Sequence, residues 1–132
     1  MKGRRNEEQR LTVVINRPAQ EIFDFTLDPD NTPKWIDGIV KEVAEPVPVR
    51  VGTVYRNQTS EGIWREYEIT ALDPGTMFVL SRNDGSYHVK YSLKPAAGGT
   101  ELEYLEWTDA GELDEPFTQE ALDKLKRVME AD

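Results

Sequence analysis

The residues that could carry chemistry are one glutamate and a set of tyrosines on predicted strands. Side chains alternate between the two faces of a strand, so placing Glu101 and Glu103 outward leaves Glu106 inward. An apolar cavity would desolvate Glu106 and raise its pKa, which makes it a candidate acid or base. Two alternatives stay open. Arg65 pairs with Glu106 and keeps both ionised, or a bulge after Tyr104 turns Glu106 to solvent.

The same alternation places every tyrosine of the chain on the inner face of the predicted sheet. They are Tyr55, Tyr67, Tyr87, Tyr91 and Tyr104. A buried tyrosine needs a partner for its hydroxyl, so several phenols on one concave wall suit an amphipathic or aromatic guest. The alternative is that the rings pack the core and direct their hydroxyls to its rim.

Metal and thiol chemistry find little support in the composition. The chain has no cysteine and one histidine, so a thiolate site, a disulfide or a His-rich zinc site cannot be built. His88 shares a predicted outer face with Lys90, which favours a surface role. The run D-P-D-N-T-P from Asp28 lacks the glycine and glutamate of a calcium loop. We expect no metal and no cofactor.

The bulk composition limits the partners. The chain has 132 residues and a net charge of −9, which argues against nucleic acid and anionic membrane surfaces. No apolar run approaches the roughly 18 residues of a membrane span. The N-terminus lacks the apolar core of a signal peptide, so we expect a cytoplasmic protein without membrane insertion.

Local patterns predict the first elements. The β-branched run Thr12–Ile15 is typical of a strand. Asn16 is a plausible N-cap, and Pro18 suits the first helical position. The helix ends at Asp28, because a residue before proline avoids the α region. A second short helical turn over residues 31–36 follows, and residues 1–9 are predicted to be a disordered tail.

Turn residues divide the middle of the chain into strands. The predicted strands are Ile39–Ala44, Thr53–Thr59, Ile63–Leu72, Thr76–Arg82, Tyr87–Lys94 and Thr100–Thr108. Short Gly/Asn/Asp/Pro connections predict an antiparallel meander. From Glu115 the apolar period changes to that of a helix of about 17 residues, with Asp114 as its N-cap. Residues 10–132 are thus predicted to be a single domain.

The segment from Arg17 to Trp35 reads R-P-A-Q-E-I-F-D-F-T-L-D-P-D-N-T-P-K-W. It resembles the opening of the SRPBCC superfamily, which includes START-like, Bet v 1-like and polyketide cyclase/dehydrase-related proteins. The resemblance implies an α+β helix-grip fold: a curved antiparallel β-sheet wrapped around a long C-terminal α-helix, with two short helices between strands 1 and 2. The family holds an elongated cavity between sheet and helix. Because this terminal helix is short for the family, we expect a smaller cavity or one more open at one end.

The resemblance and the inner-face pattern together predict a ligand-binding set. Besides the five tyrosines it comprises Trp35, Asn57, Ile69, Phe78, Leu80, Val89, Glu106, Phe117, Leu122 and Leu125. The strand at Met77 is apolar on both faces, so the inward facing of Phe78 and Leu80 is undecided against Met77 and Val79. Trp35 either closes one mouth of the cavity or plugs the space between small helices and sheet.

Three functions follow as hypotheses. The favoured one is a carrier that binds a small hydrophobic or aromatic molecule without turnover. The alternative is a polyketide cyclase/aromatase-type enzyme that uses pocket tyrosines with Glu106 and Arg65 as weak catalytic candidates. A protein-interaction role like that of Hsp90-activator domains is weaker. The oligomeric state is unknown, although an outward Trp64 suits a homodimer contact.

Overall fold

The computed structural model describes residues 7–109, 111–113 and 116–131. Its strands are β1 (Glu8–Ile15), β2 (Ile39–Glu45), β3 (Val54–Thr59), β4 (Trp64–Asp73), β5 (Met77–Arg82), β6 (Tyr87–Ala96) and β7 (Gly99–Thr108). Its helices are α1 (Ala19–Leu27), α2 (Thr32–Trp35) and α3 (Gln119–Glu130), with a 3-10 turn at Pro29–Asn31 before α2. The bounds of β2 to β7 lie within one or two residues of those predicted.

The seven strands form one antiparallel sheet in the order β1-β7-β6-β5-β4-β3-β2. Strands β2 to β7 are a meander, as predicted, and β1 returns to pair with β7. Register shifts in β2 after Ile39 and in β4 after Ile69 are bulges, which bend a strand and increase its twist. The resulting curvature gives the sheet a concave inner face.

Strand β1 is longer than the sequence pattern predicted. It begins at Glu8, which is paired with Trp107, so the predicted tail over residues 1–9 is wrong for Glu8 and Gln9. The sequence pattern missed the start of the strand because residues 8–11 are mostly polar and alternate between exposed and half-buried, although they pair with residues 104–107 of β7. Residues 1–6 lie outside the described part of the chain.

Helix α1 starts at Ala19, one residue later than predicted. Pro18 itself is the N-cap, with an extended φ of −65° and ψ of 150°, and Asn16 is not. The helix buries Ile22 and Phe23 against the sheet. Asp28 ends α1 and accepts a hydrogen bond from the Asp30 backbone N–H, which starts the 3-10 turn.

Helix α3 is shorter than predicted and lies to one side of the sheet. It has 12 residues, about 18 Å, and Thr118 caps it by accepting a bond from the Ala121 N–H. The predicted start at Glu115 and cap at Asp114 lie outside the described residues. Helix α3 packs against β1 and α2, whereas α2 and the 3-10 turn pack against β2. Among the described strands, β1 is therefore the one against which the long helix packs most extensively.

The core lies between this face and the helices. Ile15, Ile22, Ile69, Leu102, Leu122 and Leu125 are completely buried. Aromatic rings fill the centre: Phe78 stacks on Tyr91 at 4.5 Å, and Tyr104 stacks on Phe117 at 4.1 Å. Phe78 and Leu80 face inward, which decides the phase that the sequence left open. Among the described residues, no helix is long and apolar enough to span a membrane.

Candidate functional site

A cavity of about 90 Å³ lies between the inner face and the segment that runs from α1 to β2. We call it the inner cavity. Its lining residues are Thr26, Thr32, Ile36, Ile39, Glu42, Tyr55, Asn57, Tyr67, Phe78, Leu80, Tyr87, Val89, Tyr91 and Tyr104. No described residue of α3 is among them, so the β2 side of the molecule, and not the long helix, encloses this space.

The inner cavity is small because rings occupy most of the space that the fold provides. Trp35 is 1% exposed and meets Tyr91 and Phe117 edge-on, at 6.4 and 5.8 Å. A cavity of about 150 Å³ holds a benzene molecule, and ligand sites usually exceed about 300 Å³. In this conformation the inner cavity has room for a few waters.

Glu42 is the carboxylate of the inner cavity. Its Oε1 accepts a 2.5 Å hydrogen bond from the Thr32 hydroxyl, and its Oε2 accepts one of 3.2 Å from the Asn57 side-chain amide. Burial raises the pKa of Glu42, against the lowering effect of these two hydrogen bonds. The carboxyl group can therefore take up or release a proton at a milder pH than a surface glutamate.

The sequence pattern gave no signal for Glu42. Strict alternation from Ile39 would place Lys41 and Val43 inward and Glu42 outward. The bulge between Ile39 and Lys41 reverses the phase, so that Glu42 lines the cavity and Val43 is exposed. A bulge depends on pairing with β3, which no local pattern in this stretch records.

Two tyrosines of the cavity are hydrogen-bond donors, whereas the Tyr67 hydroxyl accepts a hydrogen bond from Arg82. The Tyr55 hydroxyl donates a 2.5 Å bond to the Leu27 carbonyl, and the Tyr87 hydroxyl donates one of 2.5 Å to Glu106. Burial, and then the nearby Glu42, raises the pKa of Tyr55 and of Tyr91. Burial also raises the pKa of Tyr104. These phenols stay protonated, so none of them is a base near neutral pH.

Glu106 points inward but does not line the cavity. It is 1% exposed, and its carboxylate accepts bonds from the Tyr87 hydroxyl, the Gln9 side-chain amide at 2.7 Å and the Phe117 backbone N–H at 2.7 Å. The bulge that would have turned it to solvent is absent from the paired residues of β7. Arg65, the other catalytic candidate, lies on a surface groove and not in the cavity.

The predicted binding set divides into two groups. Nine of its members line the inner cavity: Tyr55, Asn57, Tyr67, Phe78, Leu80, Tyr87, Val89, Tyr91 and Tyr104. Six do not: Trp35, Ile69, Glu106, Phe117, Leu122 and Leu125. Leu122 and Leu125 are the buried core residues of α3, and Trp35, the last residue of α2, plugs the space between α2 and the sheet. The cavity-lining residues that sequence reasoning missed are Thr26, Thr32, Ile36, Ile39 and Glu42.

His88 lies on the outer face of the sheet. Its Nδ1 is 2.7 Å from Ser81 Oγ, its Nε2 is 3.0 Å from Asp109, and its ring stacks on Trp107. The three side chains have the order of a Ser-His-Asp relay, but Ser81 is 5% exposed, which leaves its hydroxyl little access to a substrate. Within the described ranges, no group of three or more His, Cys, Asp or Glu could hold a metal ion.

Comparisons with known proteins agree on the fold. A family model described as polyketide cyclase/dehydrase and lipid transport matches residues 8–132. Protein MLL2253 from Mesorhizobium loti is 16% identical, with a TM-score of 0.74, and the match covers 95% of this chain and 98% of that one. Ara h 8.0201 is 21% identical, with a TM-score of 0.61 and coverage of 96% and 91%.

An AHSA1-like protein from Aeromonas hydrophila is 18% identical, with a TM-score of 0.67 and coverage of 95% and 93%. No curated protein matches the chain. At these identities the structural likeness shows the fold alone. The helix-grip fold predicted from the sequence is confirmed.

Proposed function

Because the chain belongs to the polyketide cyclase/dehydrase and lipid transport family, within the SRPBCC superfamily, we propose that it binds a small, partly apolar molecule in the inner cavity. The ligand carries a hydrogen-bond donor, such as a phenolic hydroxyl, that is bound by Glu42. The observation that carries the proposal is one carboxyl group in a wall built otherwise of rings, aliphatic side chains and neutral polar groups. A carrier needs no more than this.

The chemistry of the wall selects the ligand class. Rings and aliphatic groups favour an apolar body, and only a few polar groups then fix its orientation. The Glu42 carboxyl group already accepts from Thr32 and Asn57, yet each of its oxygens has capacity for a further donor. A ligand with a hydroxyl group can donate a further hydrogen bond to the Glu42 carboxyl group, whereas a pure hydrocarbon cannot.

Binding requires side chains at the mouth to move. The cavity of about 90 Å³ is smaller than a single aromatic ring needs. Ile36, Ile39, Tyr67 and Leu80 are half-buried lining residues, so they mark where the cavity reaches the surface. Side chains move between a few staggered rotamers, so changes at these positions can widen the mouth for a small ligand.

A titration with phenol and toluene tests the proposal. The two molecules have the same shape, and only phenol carries a donor. We expect phenol to shift the amide NMR signals of Glu42, Asn57 and Tyr91 saturably, with weaker binding of toluene. Glu42→Gln should weaken phenol binding, while Glu45→Gln, an exposed change on the same strand, should not. Equal binding of phenol and toluene, or no saturable shift, would refute the proposal.

A second candidate function is the cyclase/aromatase-type enzyme. One observation favours it: Glu42, whose pKa is raised by burial, lies in the same cavity wall as protonated phenols, and a general base needs such a raised pKa. In this version Glu42 takes the role that the sequence gave to Glu106 and Arg65. Native mass spectrometry of freshly purified protein would detect a bound substrate or cargo. Turnover that is lost in Glu42→Gln while binding persists would favour the enzyme.

The protein-interaction role has no comparable support. Its basis is the likeness to an AHSA1-like protein, which at 18% identity concerns the fold alone. It stays a prediction, as do the cytoplasmic location and the homodimer suggested by Trp64.

A further inference from the structure

A surface groove lies at the end of the sheet where β4 begins and β5 ends. Its volume is about 480 Å³, and its lining residues are Arg56, Trp64, Arg65, Glu66, Arg82 and Asn83. We call it the arginine groove. It shares no lining residue with the inner cavity. Unlike that cavity, it is within the size range of small-molecule sites, about 300–1,000 Å³.

The groove is a local concentration of positive charge on an acidic protein. Three arginines and one glutamate line it, although the chain as a whole carries a net charge of −9. Glu66 is held by Arg56 at 3.0 Å and by the Asn83 side chain at 3.0 Å. Asp84 also acts on Arg82 through its charge, so the arginines outnumber the nearby acidic groups by a small margin. Charges further away than about 8 Å are screened at physiological salt.

Arg82 is positioned in advance for an anion. Its guanidinium group lies over the Tyr67 and Tyr87 rings, 5.7 and 5.6 Å from their centroids, and it donates a long bond of 3.4 Å to the Tyr67 hydroxyl. Its Nε–H is buried and has no acceptor among the described residues. A guanidinium group held by two rings loses little further freedom when it binds a carboxylate with its remaining N–H groups.

Trp64 supplies the apolar wall. It is 51% exposed, and a large indole surface in contact with water next to arginines suits a flat ring. An indole and a guanidinium group that line the same groove, one from the start of β4 and one from the end of β5, match a ligand with an aromatic ring and a carboxylate. Neither a simple inorganic anion nor a neutral ring uses both.

We propose that the arginine groove is a binding site for a small aromatic carboxylate. The ring packs on Trp64, and the carboxylate accepts hydrogen bonds from Arg82. The site is separate from the one under Glu42, and either proposal can fail without the other.

The test is an NMR titration with benzoate, with acetate and benzyl alcohol as partial mimics. Acetate keeps the carboxylate and benzyl alcohol keeps the ring. We expect benzoate to bind several-fold tighter than either and to shift the Trp64 indole N–H signal saturably. The chain has three tryptophans, so Trp64→Phe assigns that signal. High salt should weaken the binding.

Variants locate the binding groups. Arg82→Gln should weaken benzoate binding about tenfold, the effect of removing a charged hydrogen-bond donor. Trp64→Ala should weaken it as well, and Trp64→Phe, which keeps a ring, should restore most of it. The control is Arg10→Gln, the same loss of one positive charge outside the groove, because Arg10 lies on β1 and pairs with Glu103 at 3.0 Å. It should change nothing.

Four results would overturn the proposal. They are the absence of a saturable shift, equal binding of acetate and benzoate, loss of benzoate binding in Glu42→Gln, and a dimer in sedimentation experiments that Trp64→Ala dissociates. The third result would place benzoate in the inner cavity. Arg82 and Trp64 lie on different strands. If one of the two variants does not fold, the other still tests the proposal.

Discussion

Glu106 was a candidate acid or base from its sequence position, and the structure indicates a different role that can be tested. Its carboxylate joins three parts of the fold: Gln9 in β1, Tyr87 in β6 and the Phe117 N–H just before α3. If these bonds are structural, Glu106→Gln and Glu106→Ala should both lower stability in proportion to the donors they leave without an acceptor.

The magnitudes follow from counting those donors. Ala leaves all three unsatisfied in a site that is 1% exposed, and at about 1–2 kcal/mol each the cost is about 4 kcal/mol. Gln keeps the volume and one acceptor oxygen, so its cost is about 1–2 kcal/mol. Tyr87→Phe removes a single donor and costs about 1 kcal/mol. Total stabilities of about 5–15 kcal/mol leave all three variants folded.

Urea unfolding followed by circular dichroism measures these differences. Glu103→Gln is the matched control, since Glu103 lies on the same strand and pairs with Arg10 at the surface. It should cost less than about 0.5 kcal/mol. Hydrogen exchange at the Phe117 amide should accelerate in both Glu106 variants. If Glu106→Ala costs no more than Glu103→Gln, or if Phe117 exchange is unchanged, the structural role is refuted.

Two further predictions concern Glu42 and Gly99. Burial raises the pKa of Glu42 above its usual 4.5, so its contribution favours folding at low pH and is lost as the pH rises through the folded-state pKa. The free energy of unfolding of Glu42→Gln should therefore rise, relative to that of the unchanged protein, as the pH increases above 4.5. Urea unfolding at several pH values measures this difference, and a difference that does not change with pH would contradict the prediction. Gly99 has a φ of +138°, and a Cβ there would overlap the Ile15 carbonyl oxygen and lie 2.8 Å from the Asn16 Cα. Gly99→Ala should lower the free energy of unfolding by more than about 3 kcal/mol. Gly62→Ala is the control, because the space around Gly62 is open, and it should lower the free energy of unfolding by about 1 kcal/mol. Equal melting temperatures of the two variants would contradict this prediction, since they would mean that the backbone at Gly99 moves without strain.

Much of the fold could be read from the sequence because its signals are local. Turn residues between β-branched runs placed β2 to β7 within two residues, and the segment Arg17–Trp35 indicated the superfamily. The errors occur where local signals are weak. Glu8 and Gln9 resemble a polar tail but pair with β7. Thr118 is the N-cap of α3, which packs against β1, and the local pattern did not indicate this start of the helix.

The candidate site was harder to predict. Alternation placed the tyrosines inward, since a regular strand fixes facing residue by residue. It could not show that Leu122 and Leu125 belong to a filled core rather than a cavity wall, because that depends on where α3 lies across the sheet. Cavity volume is a small difference between the space that the elements enclose and the space that their side chains fill.

By itself, the sequence determined the order of elements, the antiparallel meander and the inward facing of the tyrosines, because strand periodicity and turn chemistry act over a few residues. Only the tertiary structure decided which carboxyl group meets the cavity. A single bulge in β2 reverses the side-chain phase and brings Glu42 inside, while three donors from distant segments hold Glu106 outside the cavity wall. Both facts arise from contacts between residues far apart in the chain, which no local pattern encodes.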